Sequence, residues 1–167
     1  MTADAFEVQA MPASDAAWLT LCVYEEARNQ PQDGKAAVAK VVLNRTRRKP
    51  PFFSDGTIKG TILHPSQFSW VEYDMVDGHY TKVAHTPEQV EARVGKLYTE
   101  ATSHHLVWSA CADPAASVVA GTYVGGPAYD ELGDDALLYC NLAVSQPPWA
   151  TPEKLICRIG AHSFYRP

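Results

Sequence analysis

The sequence predicts an α+β fold, mainly helical, with a small antiparallel sheet near the C-terminus. Three observations carry that expectation. Two adjoining segments, Asp15 to Arg28 and Asp33 to Arg47, place apolar residues at helical spacing. Thr86-Pro87-Glu88-Gln89 joins a capping residue, a proline suited to the first helical position and the glutamine of a capping box. The short runs rich in aromatic and β-branched residues, ALLYCN, KLICRIG and HSFYR, all come after Asp135.

Taken in order, residues 1–13 read as a flexible arm and residues 14–167 as a single domain. Ser14 or Asp15 can cap a first helix whose Trp18, Leu19, Leu21, Cys22 and Val23 share one broad face. NQPQDG, with Pro31 and Gly34, ends it near Arg28. The second helix, AAVAKVVLNR, is apolar around most of its girth, which suits a central buried helix. Pro50, Pro51 and Gly56 break the next stretch into a loop, followed by a short apolar piece and an aromatic loop, HPSQFSW. The helix begun at Thr86 runs to about Thr102, and a further helical piece covers Asp113 to Ala120. A glycine-rich loop, GTYVGGPAYDELGDD, leads into the strands.

The 167 residues suffice for one domain with a sizeable core. No apolar run approaches the roughly 20 residues of a membrane span, so no stable membrane insertion is expected. The first fifteen residues have neither a basic start nor an apolar h-region, so no secretory signal is read and synthesis in the cytoplasm is expected. Cys22, Cys111, Cys140 and Cys157 contain no CxxC pair and read as buried free thiols. A net charge of −5 argues against nucleic acid as a partner. The one basic run, Arg45 to Lys49, reads as a helix C-terminus whose cations complement the dipole. The six histidines do not fall at zinc spacings, and HExxH, GxSxG and phosphate-binding glycine loops are absent. The expectation is therefore no metal and no cofactor.

Glu25 and Glu26 sit side by side near the end of the first helix. At about 100° per residue, Glu26 follows Leu19, Cys22 and Val23 by seven, four and three, well inside the apolar stripe. Glu25 follows Trp18, Leu21 and Cys22 in the same way, on the other shoulder. The wheel leans toward Glu26 and leaves both open. Burial raises a carboxyl's pKa, and a carboxyl held protonated can donate to a glycosidic oxygen. The competing reading is two surface acids, with Glu25 paired to Arg28. In HPSQFSW, amide and hydroxyl side chains alternate with Phe68 and Trp70, a pattern suited to a saccharide groove or, equally, to a loop that plugs its aromatics into the core.

Several segments, in order, resemble the SleB/CwlJ-type cell wall hydrolases of spore cortex lysis and bacteriophage endolysins. They are EEARNQP with GKAAVAKVVLNR, QFSW at Gln67 to Trp70, YCN at Tyr139 to Asn141, and RIGAHSFYR from Arg158. The resemblance spans about Leu19 to Arg166. It implies a lysozyme-like, peptidoglycan-cleaving enzyme, a lytic transglycosylase or muramidase, with glycan strands as partner and Glu26 as catalytic residue. Glu25 stands where the family has a small residue and is expected to be a solvent-facing bystander; Gln30 replaces the motif's second acid. Gln67, Ser69 and Asn141 would orient sugar groups, with Phe68, Trp70 and Tyr139 as apolar walls and His162 and Tyr165 as sheet and groove-floor residues. Asp33, Glu72 and Asp74 are candidates for a second carboxylate. A monomer is expected, made in a phage-infected cell and reaching the wall after membrane permeabilisation. The alternatives are a metal-dependent amidase or peptidase, and a non-catalytic glycan-binding or virion structural domain.

Overall fold

The computed structural model describes residues 8–48 and 54–167. The parts of the arm (1–7) and of the proline loop (49–53) outside those ranges, Lys49 of the basic run included, lie outside the described residues. Helix α1 (Asp15–Ala27) starts at Ser14, whose side chain accepts the Ala17 N–H. Helix α2 is Gln32–Arg47. A short α3 (Ile58–Leu63) and a single turn, α4 (Ser69–Glu72), lead to a hairpin of β1 (Tyr73–Val76) and β2 (His79–Lys82). Helix α5 (Pro87–Ser103) opens with the full Thr86/Gln89 capping box. After α6 (His105–Ala120) and one turn, α7 (Pro127–Asp130), come β3 (Leu138–Cys140), β4 (Leu155–Ile159) and β5 (His162–Tyr165).

The core lies where α1, α2 and α6 meet. In α2, Ala36, Ala37, Val38, Ala39, Val41 and Val42 have no exposed surface, so the helix is enclosed on nearly all sides. Each fully buried valine of this group contributes about 1.5–3 kcal/mol of transfer free energy, and the alanines let neighbouring helices approach closely. The late sheet is antiparallel with β5 between β3 and β4. Tyr139 lies opposite Phe164, and Phe164 opposite Cys157. One face, with Tyr139, His162 and Phe164, is thus shared across the strands, while Tyr165 alternates to the other face and stacks edge-on against Trp149 at 5.6 Å.

Two expectations need correction. Helix α6 begins at His105 rather than Asp113 and carries Pro114 inside it; Asp113-Pro114 imitates a cap followed by a first-turn proline. The β1–β2 hairpin was not expected from the sequence. Its turn is Asp77-Gly78, both at positive φ, the preferred dipeptide of a tight hairpin. Its alternation is hidden because nearly every residue of both strands is exposed. All four cysteines are free, and three are buried.

Candidate active site

Glu26 is in the last turn of α1, a turn with no basic residue. Carbonyl dipoles converge at a helix C-terminus and disfavour negative charge there. The Tyr139 hydroxyl, brought by β3 from 113 positions along the chain, donates to Glu26 Oε2 at 2.8 Å. Burial pushes the Glu26 carboxyl above its usual range; the Tyr139 bond, the Arg45 guanidinium and the Trp70 indole N–H pull it back part of the way. Burial is the largest of these causes, so the net direction is upward. Tyr139 itself is held well above the ordinary phenol value, by burial first and by the Glu26 and Cys22 charges next. It therefore stays a donor.

Arg45 is the residue sequence reasoning missed. It is not a solvated helix-end cation: it is 6% exposed. Its Nε donates to the Leu137 carbonyl at 2.8 Å, Nη1 to Gln67 Oε1 at 3.4 Å, and its guanidinium lies 5.5 Å from the Phe68 ring centroid. It forms no ion pair among the described residues, and the carboxylate whose charge it feels is Glu26. The signal that pointed to it was its place three residues after Val42 on a helix apolar all round, where a cation needs an internal partner. Its neighbour Asn44 reinforces the same junction, donating to the Gly133 and Ala136 carbonyls at 3.0 and 3.1 Å.

The structure brings Glu26, Tyr139, Trp70 and, through Arg45, Gln67 and Phe68 into one cluster. Phe68 and Trp70 are 4% and 8% exposed, their rings 6.3 Å apart. They are core supports under the site rather than open walls, because the loop turns both aromatics inward and leaves Ser69 outside. Asn141 is half-buried and its Oδ1 accepts the Ala143 N–H, which shapes the loop after β3; its Nδ2 has no bond among the described residues. His162 is buried edge-on to Tyr139 at 5.3 Å, with Nδ1 unpartnered. Tyr165, on the opposite sheet face, is no part of a floor beside Glu26.

Glu25 is no solvent-facing bystander. Its side chain is 16% exposed and 3.8 Å from Arg28. Burial raises its pKa, Arg28 opposes that, and Glu100 and Glu26 add to it. The three candidates for a second carboxylate are tied elsewhere. Asp33 accepts from the Tyr123 hydroxyl and the Gly126 N–H, Glu72 pairs with Lys82 at 3.0 Å, and Asp74 pairs with Arg93 at 2.6 Å. Gln30 accepts the Ala161 N–H at 2.8 Å through Oε1. It pins the β4–β5 turn, where Gly160 has φ +59° and a Cβ would run into that same amide oxygen. Among the described residues no three or more His, Cys, Asp or Glu side chains come together as a metal site, and no helix is long and apolar enough to cross a membrane.

The sequence profile of the Cell Wall Hydrolase family matches residues 29–165, beginning three positions after Glu26. The fold is similar to the catalytic domain of the germination-specific lytic transglycosylase SleB from Bacillus anthracis: 21% identity, TM-score 0.56, 93% of this chain and 96% of that one covered. It is similar also to the catalytic domain of the Bacillus cereus SleB protein: 23% identity, TM-score 0.52, 99% and 100% covered. No curated protein matches the chain significantly.

Proposed function

This chain belongs to the cell wall hydrolase family, and from that premise we propose that it cleaves the MurNAc–GlcNAc β-1,4 bond of peptidoglycan as a lytic transglycosylase. Glu26 is its general acid and then its general base. The observation that carries this is the Glu26 carboxyl, biased toward its protonated form by burial and holding a donor on one oxygen, while Glu25 meets Arg28 and Glu72 and Asp74 pair with Lys82 and Arg93. A hydrolase of either stereochemical course needs two carboxyl groups, about 5–5.5 Å apart for retention and about 6.5–9.5 Å for inversion. A single-acid scheme needs one. The lytic transglycosylase among the fold neighbours fits that choice.

Tyr139 donates to Oε2, which leaves Oε1 to carry the acid proton. That proton passes to the glycosidic oxygen as the C1–O bond breaks, and GlcNAc leaves with a free 4-hydroxyl. The carboxylate, with Arg45 nearby, faces the cationic sugar. It then takes the proton of the muramyl 6-hydroxyl while O6 bonds to C1. The anhydro ring closes, Glu26 is protonated again, and no water is consumed.

Incubation with purified peptidoglycan and mass analysis of the released muropeptides tests this. Anhydro-muramyl ends are expected; reducing ends would replace transglycosylation by hydrolysis. Glu26→Gln keeps an acceptor for Tyr139 and has no transferable proton, so the rate should fall by about 10²–10⁴. Full activity in that variant removes Glu26 from the mechanism.

A further inference from the structure

A small cavity of about 230 Å³ opens between the C-terminal half of α2, the end of α6 and the loop after α7. Lys40, Leu43, Asn44 and Arg47 line it at i, i+3, i+4 and i+7, one face of α2. Tyr129, Asp130 and Asp134 come from α7 and the loop that follows. The frame around these charges is held firmly. Asn44, 5% exposed, donates to the Gly133 and Ala136 carbonyls at 3.0 and 3.1 Å and so fixes the loop. The buried Tyr129 ring meets Tyr123 edge-on at 4.8 Å, and the Lys40 ammonium lies 5.1 Å from its centroid. Neither Glu26, Tyr139 nor Arg45 lines the cavity, so it is separate from the catalytic cluster.

Two cations and two carboxylates thus border one small polar cavity, and among the described residues no ion pair joins any of them. Their charges cancel in sum yet stand apart. An anion alone would meet both aspartates there, and a cation alone would meet Lys40 and Arg47. A ligand that carries both signs is complementary to all four. Size narrows the choice further. Sites that enclose drug-sized molecules start at roughly 300 Å³, so this cavity takes one amino-acid-sized group and not a length of glycan. The group that meets both limits is an amino-acid zwitterion, with ammonium and carboxylate on one carbon. We propose that the cavity binds such a zwitterion on an uncross-linked peptide stem of the glycan, its carboxylate toward Lys40 and Arg47 and its ammonium toward Asp130 and Asp134. The proposal rests on the peptidoglycan-cleaving role given above. A stem built on 2,6-diaminopimelate presents that zwitterion at the end of a side chain. Cross-linking through the amine replaces the ammonium by an amide, which leaves the two aspartates without a cation. The cavity therefore favours strands whose stems are not cross-linked, and it acts on affinity and not on bond breaking.

The test adds meso-2,6-diaminopimelate to the full chain and follows the backbone amide NMR signals of Asp130, Gly133 and Asp134. Its diacetyl derivative, which lacks both ammonium groups, and its diamide, which lacks both carboxylates, are titrated alongside. Saturable shifts are expected with the zwitterion, and binding at least about tenfold weaker with either derivative. Arg47→Gln and Asp134→Asn change exposed side chains, so both variants keep the fold. Arg47→Gln should narrow the preference over the diamide, and Asp134→Asn the preference over the diacetyl form. On peptidoglycan with free stems both variants should raise KM and leave kcat unchanged; on glycan stripped of peptide they should match the parent. Shifts that never saturate, or equal binding of all three compounds, overturn the site. A variant that loses the zwitterion yet keeps the parent's KM on stem-bearing peptidoglycan overturns the stem as its ligand. If the zwitterion binds as expected while the parent cleaves no glycan, the site stands and the proposed function fails.

Discussion

Tyr139→Phe isolates one bond. The variant keeps the ring contacts to His162 at 5.3 Å and to Phe164 at 5.8 Å and removes the hydroxyl 2.8 Å from Glu26 Oε2. A hydrogen bond to a charged group contributes about 1.5–3 kcal/mol and a neutral one about 0.5–1.5 kcal/mol. With Glu26 protonated, the loss is therefore about 1 kcal/mol; with Glu26 ionised it is about 2 kcal/mol. Burial already raises the folded-state pKa of Glu26 above its unfolded value. Its contribution to stability is thus complete below the unfolded value and is lost as pH rises through the folded one. Removing the hydroxyl raises the folded value further, so the variant loses more stability across that window than the parent. Thermal melts on the acid side and on the alkaline side of the Glu26 titration should show a drop of about 2–4 °C at the first and roughly double at the second. The difference of about 1 kcal/mol between the two states predicts a plateau cleavage rate about fivefold lower, with the alkaline limb at higher pH. A penalty equal at both pH values, or a limb that moves down, refutes the assignment of that bond to the charged carboxylate.

Gln30→Ala should cost about 1 kcal/mol in denaturant unfolding by releasing the Ala161 N–H. Gln30→Glu, which keeps an acceptor there, should give the same product masses as the parent, because this position holds a turn and not the sugar. For Glu25→Gln, burial outweighs the Arg28 contact at 3.8 Å, a pair worth about 0.3–0.5 kcal/mol. The folded pKa of Glu25 is raised, so the parent loses stability as pH rises through it. The variant, which has no carboxyl to ionise there, should gain on the parent as pH rises through the Glu25 titration, read as a difference in unfolding midpoints. Equal midpoints at both pH values would sink that account.

The helices were legible because their signals are local. Ser14, Pro31 and the Thr86/Gln89 box mark boundaries within a turn or two of where they act, and the apolar stripe of α1 repeats within the helix itself. The late strands were legible too, since one buried face leaves a pattern of period two. The hairpin at residues 73–82 has no such face, and only its Asp-Gly turn announced it. Pro114 misled because a proline inside a helix and one at its first turn look alike in sequence.

At the site, the sequence by itself determined that a helix ends in two carboxyls and that one of them lies in its apolar stripe. The motif order chose Glu26. Only the tertiary structure decided what surrounds that carboxyl: a phenol from a strand 113 residues away and an arginine that the sequence placed at a solvated helix end. It also decided that Gln30 is a turn pin and that Glu25 faces Arg28 and Glu100 rather than water. The physical reason is range. Helical periodicity is fixed by the 3.6-residue turn, within reach of a short window of sequence. The protonation state of a carboxyl is fixed by desolvation and by charges within a few ångströms, and those come from wherever the packed chain brings them.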